Sequence, residues 1–333
     1  MLTRRRFLKY AATGSGVACV SPLAYLSARR QTAQRARVAF VKTSDRAAGV
    51  RRAINLLGVT TVRGKDLFLK ANFNSADPTP GSTHPDTLSA LIHTLRALGA
   101  GPLTLGERSG MGNTREVLEA TGIQKLAREL DVATIVLDEL PATDWELFHP
   151  SGLHWQRGFA LPRPALRAGG IVQTCCLKTH RFGGHFTLSL KNSVGLVAKR
   201  VPGDPYNFMT ELHGSPHQRR MIAEINAAYH PDLVVLDGVE AFVTGGPDTG
   251  TLVHAQVVLA GVDRVAIDAV GVALLRHHGT TPEVSDGPLF DQEQLKRAVE
   301  LNLGVGSPHD IDLITDDAES AEYAAVIRAV LDS

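Results

Sequence analysis

The sequence predicts an α/β fold in which a largely parallel sheet is covered by helices on both faces. Short runs of Val, Ile and Leu alternate with longer amphipathic stretches along almost the whole chain. The runs are continuously apolar, as strands buried on both faces of a parallel sheet are. The chain has 333 residues, enough for a single large domain or for a domain with two lobes.

The predicted strands are runs of four to six residues that are rich in β-branched side chains and Leu. In chain order they cover residues 38–41, 67–71, 103–106, 133–137, 170–175, 233–236, 257–260 and 311–314.

Helical patterns fill most of the intervals between the strands. The second of them shows the usual signals, since Ser82 or Thr83 can cap it, Pro85 suits its first turn, and Gly99 ends it. Two intervals, 139–169 and 199–217, have no clear pattern, and connections of that length are often lids or binding loops. The predicted helices cover residues 46–57, 85–98, 113–119, 123–130, 218–229, 264–276, 292–301 and 318–331.

The N-terminal segment predicts export. Twin arginines at Arg4 and Arg5 precede Phe7, Leu8 and a mildly apolar stretch, the address read by the twin-arginine translocase. We therefore expect a signal peptide over residues 1–30, an α/β domain over 36–333, and a periplasmic or extracellular location. Glycines and Pro22 break the apolar stretch, so we expect no stable membrane span after processing. An uncleaved anchor is the alternative.

Composition argues against nucleic-acid binding and limits the chemistry that the cysteines can support. With 35 basic against 34 acidic residues and 5% aromatics, the chain lacks the basic, aromatic character of a nucleic-acid binder. Cys19 belongs to the leader, and Cys175 and Cys176 are adjacent, so we expect no iron–sulfur cluster from this chain's own thiols. The adjacent pair is predicted to pack as small hydrophobes at a strand end, with a redox or soft-metal role as the alternative.

Polar residues follow four of the predicted strands, where open α/β sheets place their ligand crevice. One shared site explains this pattern, although loops are commonly polar for other reasons. The residues are Lys70, Asn72 and Asn74; Glu107, Arg108, Ser109 and Gly110; Lys178, Thr179 and His180; and Asp237, Gly238 and Glu240.

Residues 178–195 carry the densest group of polar side chains. Two lysines, an arginine, two histidines and several hydroxyls surround Gly183 and Gly184, and a helix is predicted from about Thr187 to Ala198. Free backbone N–H groups at that helix start would form an anion pocket, with Lys191 and Asn192 one turn further on. This pattern favours a phosphate or carboxylate ligand, and it is not a nucleotide-binding Walker loop.

Thirteen histidines raise the question of a metal site. His84, His180 and His185 around the crevice are candidates for acid–base groups or for metal ligands, although each alone is more typical of a surface or hydrogen-bonding residue. No cofactor is identified by the sequence, and a bound metal remains one hypothesis.

The chain resembles the family of domain of unknown function 362, in stretches that span about residues 66–306. The resemblance implies an α/β domain with a site of lysine, asparagine, histidine and glutamate residues, and it implies no reaction. Many members look like iron–sulfur proteins through a cysteine-rich ferredoxin-type segment, which this sequence lacks. The matching stretches are Leu69-Lys70-Ala71-Asn72, Ser82-Thr83-His84-Pro85, Gly106-Glu107-Arg108-Ser109-Gly110, Lys178-Thr179-His180, Ser189-Leu190-Lys191-Asn192-Ser193-Val194-Gly195, Leu236-Asp237-Gly238 and Leu301-Asn302-Leu303-Gly304-Val305.

Two classes of function fit these patterns. The first is an exported enzyme acting on a small anionic substrate, with catalytic residues Glu107, Lys178, His180 and Lys191 and with Asp237 as a further base or ligand. The second is a non-catalytic binding or maturation protein that holds a ligand or a metal, or a redox accessory protein. In the first hypothesis the substrate is held by Lys70, Asn72, Asn74, Arg108, Ser109, Thr179, Asn192 and Asp237.

Overall fold

The computed structural model describes residues 35–149 and 151–333, so the predicted signal peptide and Cys19 lie outside the described residues. A mixed sheet forms the centre of the fold, with the strand order β12-β1-β11-β9-β7-β2-β3-β4. Seven of these eight strands point the same way, and β11 alone runs antiparallel to both of its neighbours. The predicted largely parallel sheet is therefore confirmed, in a single domain.

The sheet has ten strands in all, because β8 pairs with β7 and β10 pairs with β9, both antiparallel. A separate hairpin is formed by β5 and β6. The bounds are β1 Ala36–Lys42, β2 Leu67–Lys70, β3 Leu103–Glu107, β4 Ala133–Val136, β5 Trp145–Phe148, β6 Phe159–Pro162, β7 Gly170–His180, β8 His185–Thr187, β9 Leu233–Gly245, β10 Gly250–Val253, β11 Val257–Gly261 and β12 Ile311–Ile314.

Twelve α-helices surround the sheet in the residues described. They are α1 Arg46–Leu57, α2 Pro85–Ala97, α3 Thr114–Ala120, α4 Ile123–Glu129, α5 Arg163–Arg167, α6 Ser189–Asn192, α7 Phe208–Gly214, α8 Gln218–Ile225, α9 Arg264–His277, α10 Pro282–Ser285, α11 Glu293–Glu300 and α12 Ala318–Leu331.

The core lies on both faces of the sheet, as the continuously apolar strands predict. In β1, Val38 and Phe40 belong to a cluster with α9, α11 and α12, whereas Ala39 and Val41 belong to a cluster with α1 and α2. Successive side chains of a strand point to opposite faces, so every residue in this stretch is buried by one helical layer or the other. No helix in the described residues is both long and apolar enough to cross a membrane.

Predicted and observed elements differ mainly in length. β7 and β9 continue about five and nine residues beyond their predicted ends, because each turns back into a hairpin partner, β8 or β10, that supplies hydrogen bonds beyond the parallel region. The interval 139–169 contains β5, β6 and α5, and 199–217 contains α7, so neither is a structureless connection. Trp145 and Phe159 anchor the first interval in a third apolar cluster.

Candidate functional site

The candidate site lies where neighbouring parallel strands end. β7, β2 and β3 are adjacent in the sheet, and Lys70 and Glu107 are the last residues of β2 and β3. A cavity of about 830 Å³ opens at this edge. Nine of the residues that the sequence singled out line it: Lys70, Asn72, Asn74, Glu107, Arg108, Lys178, His180, Lys191 and Asn192.

Lys70 and Glu107 form a buried ion pair in the cavity. The Lys70 Nζ atom lies 2.9 and 2.8 Å from the two carboxylate oxygens of Glu107 and also donates to Asn192 Oδ1 at 3.3 Å. Burial lowers the pKa of Lys70 and raises the pKa of Glu107, while the mutual contact opposes both shifts. Because both groups are occupied by one another, they are not free to bind a ligand charge directly.

Lys178 is fully buried and holds no carboxylate. Its Nζ donates to the carbonyl oxygens of Gly81 at 2.5 Å and Pro247 at 3.2 Å, and to Asn72 Oδ1 at 3.3 Å. Burial lowers the pKa of Lys178. Three oxygen acceptors favour the ammonium form, so Lys178 contributes positive charge to the cavity wall.

Arg108 adds a second cation that lacks a carboxylate in contact. Its Nη2 atom donates to the carbonyl oxygen of Val194 at 2.6 Å, and its buried Nε atom has no hydrogen-bond partner. Burial lowers the pKa of Arg108 to about 10, opposed by the charges of Asp138 and Glu107. A buried N–H without an acceptor is rare in proteins and marks a place where a ligand acceptor fits.

Lys191 faces the same cavity, and no hydrogen bond or ion pair joins its Nζ atom to any other described residue. A methyl group added at Gly184 would lie 2.7 Å from Lys191 Cε and 2.9 Å from His180 Nδ1, so the lysine passes beside this histidine. Burial, followed by the charges of Lys178 and Arg108, lowers the pKa of Lys191 to about 7. At neutral pH a substantial fraction of this amine is therefore unprotonated.

Two further buried polar atoms at the cavity lack partners. These are Nδ1 of His180 and Oγ1 of Thr187, on residues that are 7% and 4% exposed. Burial, followed by the charges of Lys191 and Lys178, lowers the pKa of His180 well below its usual value, so the imidazole is neutral at pH 7. The cavity therefore presents a neutral imidazole and a hydroxyl beside a lysine amine.

The charges around the cavity are strongly unbalanced. Five basic residues line it, and Glu107 is the single acidic residue among the described lining residues. Because Glu107 is paired with Lys70, the remaining positive charge is not neutralised within the cavity wall. The basic residues are Lys70, Arg108, Lys178, Lys191 and Lys199.

Comparison with known proteins places the chain in a family. The model of the family described as "Domain of unknown function (DUF362)" matches residues 67–273, more than half of the chain. This protein belongs to the DUF362 family. A relative, a thylakoid-associated protein of Synechocystis sp., is 26% identical over 258 residues that cover 74% of each chain. No solved structure matches the chain significantly.

The matched range begins at β2 and ends within α9, so it contains the strand ends that form the cavity but not the stretch from Leu301 to Val305. Every predicted residue that lines the cavity falls inside the DUF362 match.

Three of the predicted site residues do not line the cavity of the DUF362 domain. Ser109 donates its hydroxyl to the carbonyl oxygen of Phe73 at 2.6 Å, and Thr179 donates to that of Phe242 at 3.1 Å. Asp237 accepts from Arg46 at 2.9 Å and from Thr87 at 2.6 Å. Each side chain holds together distant segments outside the cavity lining, and contact of these residues with a substrate stays a prediction.

The predicted anion pocket at a helix N-terminus is not formed. α6 is only four residues long and continues as a 3₁₀ turn over Ser193–Leu196. Its first backbone N–H groups, those of Ser189 and Leu190, donate to the Asp268 carboxylate at 2.7 and 2.9 Å. The backbone N–H groups that were predicted to bind an anionic ligand are therefore bound to a carboxylate of the protein itself, that of Asp268 in α9.

The three candidate histidine ligands are not gathered in the cavity. His180 lines it, whereas His84 caps α2 by accepting from the Asp86 N–H at 3.1 Å, and His185 lies outside the lining. Across residues 35–149 and 151–333, no group of three His, Cys, Asp or Glu side chains is placed to hold a metal ion. The histidine triad around the crevice is not formed.

Cys175 and Cys176 are free thiols, fully buried in the middle of β7 rather than at its end. Burial raises the pKa of both thiols, that of Cys176 to about 11. They pack as small hydrophobes, as predicted. They lie in the middle of the strand because β7 continues to His180, beyond its predicted end.

Several lining residues were missed by inspection of strand ends. Lys199 and four residues of the following segment reach the cavity because the interval 199–217, recognised only as a long connection, folds back over it. Met111 and Phe182, which are 42% and 48% exposed, stand among the apolar side chains of the lining. The four residues are Asn207, Met209, Thr210 and His213.

Proposed function

We propose that this DUF362 protein is an enzyme that binds a small organic anion, a carboxylate or a phosphate, in the cavity at the ends of β2, β3 and β7. The observation that carries the proposal is the excess of basic residues around the cavity, among which the Lys191 amine and Arg108 Nε have no partner in the described chain. Buried polar groups without partners are destabilising, and an anion would satisfy them.

Each part of the cavity has a role in this proposal. Arg108 holds the anionic group, since a hydrogen bond to a carbonyl oxygen fixes its position and its Nε donor is unpaired. Lys178, whose three donors are already used, adds positive charge to the cavity wall. Lys191 supplies a neutral amine, which can accept a proton or attack an electrophilic carbon. His180 moves a proton, because its neutral ring has an unpaired nitrogen beside that amine. The Glu107 carboxylate holds Lys70 in place rather than acting as a base.

Anion binding is tested by isothermal titration calorimetry with inorganic phosphate, acetate, pyruvate and 2-oxobutyrate as probes. We expect at least one probe to bind. A bound anion favours the protonated form of the Lys191 amine, so Lys191→Met should lose a charge-assisted contact and weaken binding about tenfold or more. Lys125→Met is the matched control, because Lys125 is an exposed lysine of α4 whose side chain is 75% accessible. Failure of every probe, or equal binding by the wild type and Lys191→Met, would overturn the proposal.

Turnover distinguishes an enzyme from a binding protein. Native mass spectrometry of the freshly purified protein identifies any bound small molecule, and the same molecule is then incubated with catalytic amounts of protein. We expect its conversion to exceed the amount of protein, and conversion to be lost in Lys191→Met. Tight binding without conversion would instead assign the cavity to a non-catalytic carrier.

We also propose that the protein is exported in the folded state by the twin-arginine translocase. The support is the sequence Thr3-Arg4-Arg5-Arg6-Phe7-Leu8-Lys9. The full chain fused to a reporter that is active only outside the cytoplasm should show activity that is lost on replacing Arg4 and Arg5 together by Lys. Reporter activity that is unchanged by this replacement would contradict the proposal.

A further inference from the structure

Lys191 differs from the other lysines of the cavity in its surroundings. Lys70 donates to Glu107 and Asn192, Lys178 donates to three oxygen atoms, and Lys199 lies 3.3 Å from Asp138. Nothing in the described part of the chain occupies the Nζ atom of Lys191. A lysine whose nitrogen carries no acceptor keeps its lone pair available once it loses its proton, which is the requirement for a nucleophile.

The side chain of Lys191 passes close to His180. Both Lys191 Cε and His180 Nδ1 approach the open face of Gly184, so that the two atoms lie within about 6 Å of one another. The ring of His180 is held edge-on against Phe182, with 5.8 Å between centroids, and its Nδ1 has no partner. A nucleophile and a proton carrier therefore face the same small volume, and Gly184 is required because a side chain there would fill it.

We propose that Lys191 forms a Schiff base with a small 2-oxo acid, whose carboxylate is held by Arg108 and attracted by the charge of Lys178. This inference rests on the proposed function and names its substrate class. A 2-oxo acid carries an electrophilic carbonyl carbon directly beside its anionic group. It therefore fits a site where two fixed cations and an unpaired amine line one cavity.

The step requires no oxidant, reductant or second substrate. The lone pair of Lys191 Nζ forms a bond to the carbonyl carbon, and the π electrons of the C=O bond move to its oxygen. His180 carries a proton from the nitrogen to that oxygen, which gives a neutral carbinolamine. His180 then passes a second proton, taken from solvent, to the hydroxyl oxygen. The C–O bond breaks, the oxygen leaves as water, and the nitrogen lone pair forms the C=N⁺ bond of the protonated imine.

The environment keeps the amine reactive. Burial and the neighbouring charges of Lys178 and Arg108 lower the pKa of Lys191 to about 7, and amines next to a second cation are known nucleophiles in enzymes. The volume of about 830 Å³ exceeds the needs of the smallest oxo acids. The apolar lining of Phe73, Val194 and Met209 gives room for a substituent on the carbonyl carbon.

Reductive trapping tests the inference. The full-length protein is incubated with pyruvate or 2-oxobutyrate and then with sodium borohydride, which reduces an imine to a stable secondary amine. We expect the intact mass to increase by a single reduced adduct per chain, and peptide mapping to place the adduct on Lys191. The yield in a short pulse should rise with pH through about 7, since the neutral amine is the nucleophile.

Variants separate a nucleophile from a charge. Lys191→Arg keeps a cation and should still bind the oxo acid in calorimetry, yet it should give no adduct, as should Lys191→Met. The surface control Lys125→Met should be trapped like the wild type. His180→Gln should slow trapping by roughly tenfold or more while the oxo acid still binds, because it removes the proton carrier.

The outcomes distinguish this inference from the proposed function. If the wild type binds an oxo acid in a Lys191-dependent way but gives no adduct, the Schiff base is disproved and the anion-binding function stands. If an adduct forms on other lysines alone, or equally in Lys191→Arg, the nucleophile is wrongly assigned. If the wild type binds no anion at all, the proposed function itself fails.

Discussion

Two groups of buried or partly buried polar side chains lie close to the short helix α6, and they differ in how their polar atoms are satisfied. In the first group, Asp268 and Arg264 of α9 form what we name the α9 cluster. The second is the cavity group, formed by Arg108, His180, Thr187 and Lys191. The same segment of the chain supplies both, since Ser189 contacts Asp268 and Lys191, two residues on, faces the cavity.

In the α9 cluster every contact is internal. Asp268 accepts the two backbone N–H groups that begin α6, and Arg264 donates to Asn226 Oδ1 and to the carbonyl oxygen of Tyr229 at 2.8 Å. Burial raises the pKa of Asp268 to about 7, while the two backbone N–H donors favour its charged form. No buried polar atom of either side chain is left without a partner.

In the cavity group the corresponding atoms are unpaired. Arg108 Nε, His180 Nδ1 and Thr187 Oγ1 are buried without hydrogen bonds, and the Lys191 amine has no partner among the described residues. The comparison teaches that buried polar atoms serve two purposes in this fold. Satisfied ones stabilise it, and unsatisfied ones lower its stability in return for a site that a ligand completes.

The largest effect that the comparison predicts is in the α9 cluster. Asp268→Ala leaves the two buried backbone N–H groups of Ser189 and Leu190 without their acceptor, so the free energy of unfolding should fall by about 3–5 kcal/mol. Urea denaturation followed by circular dichroism measures it. If the variant is too unstable to purify, Asp268→Asn, which keeps an amide oxygen as acceptor, should lose less.

The matched control is Asp316→Ala, which removes a carboxylate from a solvent-accessible pair with Arg52. Surface pairs contribute little, so this change should remain below about 1 kcal/mol. If Asp268→Ala and Asp316→Ala lower the free energy of unfolding equally, the internal hydrogen bonds of the α9 cluster contribute no more than a surface ion pair.

The next effect is the change in stability on replacing Lys191. Unlike Asp268→Ala, Lys191→Met should stabilise the protein at low pH. The pKa of Lys191 is lowered from 10.5 to about 7 in the folded protein, so between these values the unfolded chain binds a proton that the folded chain does not. Stability should therefore rise with pH in the wild type relative to Lys191→Met, by at most ~1.4 kcal/mol per pH unit. Below pH 7 both states are protonated and the difference becomes constant.

The pH profile is measured as the difference in unfolding free energy between wild type and Lys191→Met from pH 6 to pH 9. The variant should be the more stable protein at pH 6, because Met removes a partly buried charge that has no partner in the described residues. If the difference in unfolding free energy between wild type and Lys191→Met does not change with pH, the surroundings of Lys191 do not disfavour its charged form.

The smallest effect separates two buried threonines. Thr87 donates its hydroxyl to Asp237 Oδ2 at 2.6 Å, whereas the Thr187 hydroxyl has no partner. Thr87→Val should lower the free energy of unfolding by about 1–2 kcal/mol, whereas Thr187→Val should leave it unchanged or raise it by up to ~1 kcal/mol. Thermal or urea denaturation decides between them, and an equal loss in both variants would break the comparison.

Much of the architecture followed from local patterns. Each of the eight predicted strands is present, and the helices over 46–57 and 318–331 begin and end at the predicted residues. Such elements are set by short-range features, such as the Asp45 side chain that caps α1 and the left-handed Gly58 that ends it. The hairpins around β7 and β9 were missed, because their pairing depends on segments that the apolar pattern alone does not mark.

The sequence predicted the location of the candidate site but only some of the residues that line it. Lys70, Glu107 and Lys178 follow strands that are neighbours in a parallel sheet, and the carboxyl ends of such strands must meet. Asp237 follows the next strand, yet Arg46 and Thr87 hold it outside the cavity. Nothing at residue 237 itself distinguishes these outcomes.

The sequence by itself determined the alternation of strands and helices, the family and the edge of the sheet where polar side chains gather, because each of these follows from the order of residues along the chain. Only the tertiary structure decided which polar atoms are satisfied. A hydrogen bond requires two atoms about 3 Å apart, and its partners here come from segments far apart in the chain. Asp268 therefore completes α6, while Lys191, two residues beyond the first contact, keeps its amine for the cavity.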